Sequence, residues 1–318
     1  MPTARDRRDD SRFEEIFRSE RRRLWGLAYR LTGSGAEAED VVQECFARLL
    51  ERPPRADQPT RPWLVRVAVN LSADALRKRR RRVYPGRWLP SPVEASDADW
   101  LDSLAGPSPE GAARYGLLES ASYAFLVALE ALRPRERAVL LLRDVLGRSA
   151  AETGALLGTS EGNTRVIHLR ARRLLADYDR SRCVPTAELR ERHRAVLERF
   201  LSALLAQDTS AVESLLAESV RTETDAGGEY TALAAQLVGR ARVARFYLQA
   251  ARMRLEGEPS ISIRLVNGMP AAAIALRKPV RRQAPRSVLR IELDGAGTIV
   301  AIHSILALGK LGAVRFDS

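Results

Sequence analysis

Cysteine and histidine are scarce. The 318 residues hold two of the first, Cys45 and Cys183, and three of the second, His168, His193 and His303. Two distant thiols make no disulfide framework, and neither they nor the scattered imidazoles have the spacing of a metal site. No metal and no cofactor are expected. Long apolar runs are missing too: nothing approaches the roughly 18 uninterrupted residues of a spanning helix. The start, Met1-Pro2-Thr3-Ala4-Arg5, leads into alternating charge rather than a secretory core, so a soluble, cytoplasmic chain with no membrane partner is expected. Lysine is nearly absent. Of 52 basic residues only Lys78, Lys278 and Lys310 are lysines, and 40 acids leave a formal charge of +12. The positive excess points to a polyanion, and the arginine fork suits phosphates and base edges; a GC-rich coding sequence favours arginine as well.

What is present falls into zones. Residues 11–82 read as helices with breakers only around 51–62, and 83–116 are rich in Pro, Gly, Ser and Asp and read as a linker. Helices return from 117 to 182. Beyond Pro185 the period changes, and Ile261–Val266, Ala271–Leu276, Ser287–Leu293 and Ile299–Leu306 look like strands, the first two joined by Asn267-Gly268. Two all-α domains followed by one α+β domain are expected.

Within the first zone, Ala36–Leu50 is expected to bury Val41, Val42, Cys45, Phe46, Leu49 and Leu50 on one face and to leave Asp40, Gln43 and Glu44 outward, either as a plain solvated face or as a docking edge. Thr60–Arg82 sets Leu64, Val67, Ala68 and Leu71 against a second face of Arg66, Asn70, Asp74 and Arg77, and closes on the basic run Arg77 to Arg82, which includes Lys78. Such a run can neutralise several phosphates. Trp63 can pack in the core or stack on an exposed base.

The second helical zone has a sharper pattern. A helix from Pro134 to Leu146 stops at Gly147, Ser149-Ala150-Ala151-Glu152 is a capping box for a short helix ending at Gly158, and Thr159-Ser160 starts a third helix to about Asp179. This is a helix-turn-helix pattern. At 100° per residue, Ile167, Ala171, Leu174 and Tyr178 share the packing side, and Glu161, Arg165, His168 and Arg172 the opposite one. Arg165, Glu161 and Asn163 are candidate base contacts, with Arg170 and Arg173 placed for phosphates. His168 reads equally as a groove contact or an idle surface residue.

Together these residues resemble the extracytoplasmic-function sigma factors. Phe13–Thr32 is similar to the start of their domain two, and Asp40-Val41-Val42-Gln43-Glu44-Cys45-Phe46 to the DxxQExF helix that docks on the polymerase clamp. Pro62-Trp63-Leu64 through Asn70, Asp74 and Arg77 resembles the stretch that opens DNA and reads the −10 element. Leu132-Arg133-Pro134-Arg135-Glu136-Arg137 and the helix-turn-helix resemble domain four, which reads the −35 element. The resemblance implies binding of core RNA polymerase and promoter DNA, with Trp63, Arg66, Asn70, Asp74, Arg77 and Lys78 at the melted strand. It divides the chain into domain two (1–82), a linker (83–116), domain four (117–182) and a last domain (183–318). The free chain is expected to be a monomer.

Tyr84-Pro85-Gly86-Arg87-Trp88-Leu89-Pro90-Ser91-Pro92 is similar to a WLPEP-type motif of the subgroup that carries a SnoaL-like domain, with Ser91 in place of the usual acid. Residues 183–318 then imply a cystatin-like α+β cone. Asp225-Ala226-Gly227-Gly228-Glu229 resembles that subgroup's DGGGK loop, Val266-Asn267-Gly268 its VNG turn, and Gly309-Lys310-Leu311 echoes the end of an NPDKL motif. The resemblance implies a regulatory last domain that docks on the linker or on domain two, through Trp88, Leu89 and Pro90 and the loop at Asp225, Gly227 and Gly228. Truncation near residue 206 is then expected to change transcription. No catalytic residues are expected, and a small-molecule ligand of the cone stays open. Two other readings compete: a ligand-responsive helix-turn-helix repressor, which leaves Asp40–Phe46 and Pro62–Arg82 without a task, and a SnoaL-type isomerase or cyclase, which needs His303 on a strand and Asp225 on a loop to meet a substrate.

Overall fold

The computed structural model describes residues 4–55, 57–94 and 115–317. Residues 95–114 of the expected linker, with its Gly106, Pro107 and Pro109, lie outside the described residues. The chain divides into two compact units: Met1–Arg81 with Asp97–Ala121 and Ala128–Arg180, and Arg82–Ser96 with Ser122–Val127 and Ser181–Ser318.

The first unit is all helix. Helices α1 (Ala4–Thr32), α2 (Gly35–Glu51) and α3 (Thr60–Arg81) form a bundle around Leu24, Leu27, Val41, Val42, Cys45, Leu64 and Ala68. Ser34 caps α2, its hydroxyl accepting from the Glu37 amide at 3.2 Å. Burial pushes the Cys45 thiol up to about 12, which leaves it an inert core group. The short helix α4 (Leu117–Ser120) and α5 (Tyr123–Leu129), whose residues to Val127 belong to the second unit, precede α6 (Pro134–Leu140). The expected helix to Leu146 is present in length, but its last turn, Leu141–Val145, is π-helical. Helices α7 (Ala150–Leu157), α8 (Glu161–Leu174) and α9 (Ala176–Arg180) complete the unit.

Two buried guanidinium groups and a third that is half-buried hold this bundle. Arg137 is fully buried and donates to Leu31 O at 3.0 Å, Leu129 O at 2.6 Å and Glu130 Oε1 at 2.7 Å. Arg30 donates from Nε to Ser120 Oγ at 2.9 Å, and burial lowers its pKa to about 10. Arg79 donates to Thr32 O at 2.6 Å and to Glu130. Each group gains two or more acceptors, the condition for a buried charge to be tolerated.

The second unit is α+β, as its strand pattern leads one to expect. Helices α10 (Ala187–Leu205) and α11 (Thr209–Leu215) lead into β1 (Leu216–Asp225), then β2 (Leu237–Val238), α12 (Arg240–Leu255), β3 (Pro259–Val266), β4 (Met269–Leu276), β5 (Arg286–Leu293) and β6 (Ile299–Ile305). The sheet order is β2-β1-β6-β5-β4-β3, antiparallel except for the β1–β6 pair. Asn267 and Gly268, at φ +51° and +75°, make the two-residue β3–β4 hairpin turn expected of Asn-Gly. The last four strands begin and end close to their expected bounds. Strand β1 is an addition, and it corrects the placing of Asp225: the residue ends β1, opposite Ile305, with Glu223 opposite His303.

Because strand side chains alternate, the sheet has two covered faces. One packs on α10 and α12 through Leu197, Phe200, Val243, Tyr247, Leu289 and Ile302. The other packs Val288, Ile305, Ala271 and Ala273 on Leu89 of the linker, on Tyr123 and on Leu311 and Val314.

Candidate polymerase, promoter and linker interfaces

On α2 the buried positions leave Asp40, Gln43 and Glu44 exposed along one edge, while Leu50, expected on the apolar face, is 64% exposed in the last turn of the helix. Glu44 pairs with Arg48 at 2.7 Å one turn on, an exposed pair that holds geometry more than stability. The edge offers acceptors and an amide to a partner without disturbing the core beneath it.

Along α3, Leu64, Ala68, Ser72 and Leu76 are buried, so the same 3.6-residue period turns Arg66, Asn70, Asp74, Arg77 and Lys78 to solvent. Arg77 donates to Asp74 at 2.5 Å. Trp63 is half-buried, so it packs while keeping part of its ring at the surface. The basic run does not behave as a block. Arg77, Lys78 and Arg81 face solvent, whereas Arg79 is held as described and Arg80 donates to Leu132 O at 2.5 Å.

The helix-turn-helix is built from caps. Ser149 accepts from the Glu152 amide at 3.1 Å while Glu152 accepts from the Ser149 amide at 2.7 Å. The Ser149 amide first, and the Ser149 hydroxyl after it, hold the Glu152 carboxyl below its usual range. Gly158, at φ +62°, ends α7 in the left-handed region, and Ser160 caps α8 through the Asn163 amide at 3.2 Å. Thr164, Ile167 and Ala171 anchor α8, and Glu161, Asn163, Arg165, Arg170 and Arg173 are exposed, with Arg172 half-buried. Arg165 donates to Glu161 at 2.5 Å, and Asn163 to Thr159 Oγ1 at 2.7 Å. Two placements depart from the helical count. His168 is turned inward, its Nε2 2.8 Å from Asp144 Oδ1. Leu174 is 50% exposed, because α8 ends there and Leu175 takes the buried position instead.

In the second unit the linker residues gather on one carboxylate. Asp225 is fully buried and accepts from Tyr84 Oη at 2.6 Å and the Leu89 amide at 2.8 Å, while Lys310 Nζ lies 2.5 Å from its second oxygen. Lys310 also donates to Leu89 O at 2.6 Å and sits 4.0 Å over the Trp88 ring. Trp88 is half-buried and Leu89 and Pro90 are buried. Pro90 O accepts from Tyr123 Oη at 3.1 Å. Gly227 and Gly228 turn at φ +59° and +80°, and a Cβ on Gly228 would come within 2.9 Å of Pro85. Downstream, the Asn267 amide donates to Val93 O at 2.9 Å and Glu94 pairs with Arg315. Tyr84, Arg87 and Lys310 carry much of this contact, Arg87 pairing with Glu223 at 2.8 Å. Tyr84 and Arg87 lie in the segment that resembles the WLPEP-type motif and Lys310 where the NPDKL echo lies, but none of the three is a candidate contact by sequence.

His303 and Glu223 share this face. The imidazole is buried within 4.0 Å of Glu223 and 3.7 Å of Glu292, and its ring is 5.7 Å from that of Tyr123. Among the described residues, no group of three or more His, Cys, Asp or Glu could hold a metal ion, and no helix is long and apolar enough to cross a membrane.

Comparison with known proteins agrees with this layout. Sigma-70 region 2 matches residues 16–82 and Sigma-70 region 4 matches residues 122–175. The ECF RNA polymerase sigma factor SigJ of Mycobacterium tuberculosis is 34% identical over 234 residues, 73% of this chain and 71% of that protein. SigG of the same organism is 32% identical over 311 residues, 92% and 81%. The crystal structure of M. tuberculosis SigJ is similar with a TM-score of 0.72 at 28% identity, covering 95% of this chain and 99% of that one. The bundle with its exposed α2 and α3 faces and the capped helix-turn-helix are thus those of the family to which this chain belongs, the extracytoplasmic-function RNA polymerase sigma factors.

Proposed function

We propose that this sigma factor docks on core RNA polymerase through Asp40, Gln43 and Glu44, engages the −10 strand with Trp63, Arg66, Asn70, Asp74, Arg77 and Lys78, and reads the −35 element with α8. On α8, Glu161, Asn163 and Arg165 face base edges, and Arg170, Arg172 and Arg173 face phosphates. His168 acts by holding α8 through Asp144 rather than by touching DNA. The factor works in the cytoplasm, and no catalytic step is assigned to it: no Asp, Glu or His lines the cavity of the second unit among the described residues, and on the sheet's other face Asp225 is bonded to Tyr84 and the His303 ring lies against Tyr123.

The second unit regulates. The observation that supports this is the Asp225–Lys310 pair holding the Leu89 amide and carbonyl at once. Residues 84–94 follow α3 directly, and while they stay docked the tether between the −10 and −35 readers is shorter and stiffer than its Pro- and Gly-rich sequence allows.

Reconstitution with core polymerase tests the reading. The purified chain is expected to co-migrate with the core and to start RNA from a defined promoter. Arg165→Ala is expected to lower promoter affinity about tenfold, the size of one lost base contact. A chain ending after Arg180 is expected to give a different transcript yield from the full chain. Absence of co-migration sinks the polymerase reading, and equal yield sinks the regulatory one.

A further inference from the structure

The helix-facing side of the sheet in the second unit encloses a cavity of about 370 Å³, within the range of small-molecule sites. Leu201, Phe246, Ile274 and Leu289 give it apolar walls. Its charged groups are of one sign. Arg254 lines it, donating from Nη1 to Ser287 Oγ at 2.7 Å, and no carboxylate pairs with it among the described residues. Arg281 and Arg282 line it as well, and no acid does. The Thr224 hydroxyl, on a residue 4% exposed, has no hydrogen-bond partner. Beside it the Tyr247 hydroxyl is satisfied by Thr222 at 2.7 Å and Ser304 at 3.0 Å.

A guanidinium facing an apolar chamber without a counter-charge is costly to keep. Burial accordingly lowers the Arg254 pKa. A cation with spare donors, an idle hydroxyl and apolar walls together specify a ligand with one anionic head and an apolar body. We infer that this cavity binds a carboxylate amphiphile, its head on Arg254 and Thr224 and its chain along Phe246, Ile274 and Leu289. An alcohol of equal length leaves the guanidinium unpaired and a cation is repelled, so selectivity for the acid is the signature. The inference goes beyond the promoter reading and is tested without polymerase.

The full chain is titrated calorimetrically with decanoate and decyltrimethylammonium below their micelle concentrations and with decan-1-ol below its solubility limit. One decanoate per chain is expected, bound at least about tenfold tighter than the alcohol, a difference of about 1.4 kcal/mol, with no binding of the cation. Arg254→Leu is expected to bring decanoate down to the affinity of the alcohol, and Thr224→Val to weaken it several-fold, with circular dichroism checking that each variant folds. Equal affinity for acid and alcohol in the unmodified chain overturns the inference whether or not the variants fold. So does undiminished decanoate binding by folded Arg254→Leu, or no binding at all.

Discussion

A carboxylate with no exposed surface must find a donor for each lone pair, and Asp225 does so with Tyr84, the Leu89 amide, the Gly227 amide at 3.1 Å and the Lys310 ammonium. Asp225→Ala takes from Lys310, whose side chain is 11% exposed, its carboxylate partner; a loss of about 3–5 kcal/mol follows from breaking a buried pair. Lys310→Met leaves Asp225 three donors and should lose less, about 1–3 kcal/mol; urea denaturation of the two variants checks the order. The sequence made Asp225 legible through its Gly-Gly neighbours, but not its partners, which lie 136 and 85 positions away. The same face sets a pH dependence. Burial pushes His303 below its ordinary 6.5, against Glu292, with Arg290, against Glu223 and with Arg221; burial also lowers His193. The unfolded chain therefore takes up protons that the folded one refuses, and stability falls as pH drops through 6.5. Between about pH 7.5 and 5.5 the denaturation midpoint should fall in the parent chain and fall less in His303→Gln; identical slopes would rule out this origin.

At the scale of elements, local signals survive where one face is apolar and fail where both faces are polar. Helices α2, α3, α7 and α8 begin where their caps and stripes say, because those signals lie within one turn of the chain. Strand β1 gives no such signal. Its Thr222 and Thr224 serve one side of the sheet and its Glu223 and Asp225 the other, all buried, so neither alternation nor an apolar run marks it, and its partner β6 is some 80 residues on. The turn before α8 carries a further constraint. A Cβ at Gly154 would lie 2.6 Å from Thr159 O, whereas one at Gly162 meets nothing within 4 Å. Gly→Ala in a helix ordinarily gains up to about 1 kcal/mol, so Gly162→Ala should raise the melting temperature. Gly154→Ala should lower stability by about 1–3 kcal/mol through overpacking and loosen α7 from α8. Thermal denaturation of the pair gives opposite signs if the contact with Thr159 decides, and the same sign if helix propensity alone does.

For the whole molecule, the order of motifs was legible and the membership of the linker only through resemblance. Composition reads 83–116 as a free spacer, yet residues 84–94 belong to the second unit's core: Leu89 packs with Val288 and Ile305, the Asn267 amide bonds Val93 O, and Glu94 bridges Val266. Pro and Gly predict exposed chain only while nothing offers them a surface, and here the sheet's second face does. The consequence concerns where the chain can be cut. Helix α10 buries Val196, Leu197, Phe200, Leu201 and Leu204 in the second unit, so ending the chain near residue 206 leaves that apolar face uncovered, and ending it after Arg180 removes the helix too. Either cut also uncovers Leu89 and Val93. Native-state hydrogen exchange separates docked from free linker in the intact protein. The Leu89 amide, held by Asp225 at 2.8 Å, and the Glu94 amide, held by Ala313 O at 2.9 Å, should exchange as slowly as neighbouring sheet amides. Lys310→Met should speed residues 84–94 while leaving β4 and β5 slow. Fast exchange of the Leu89 amide in the unmodified chain would mean that the segment is a free tether after all, and that the second unit does not govern its reach.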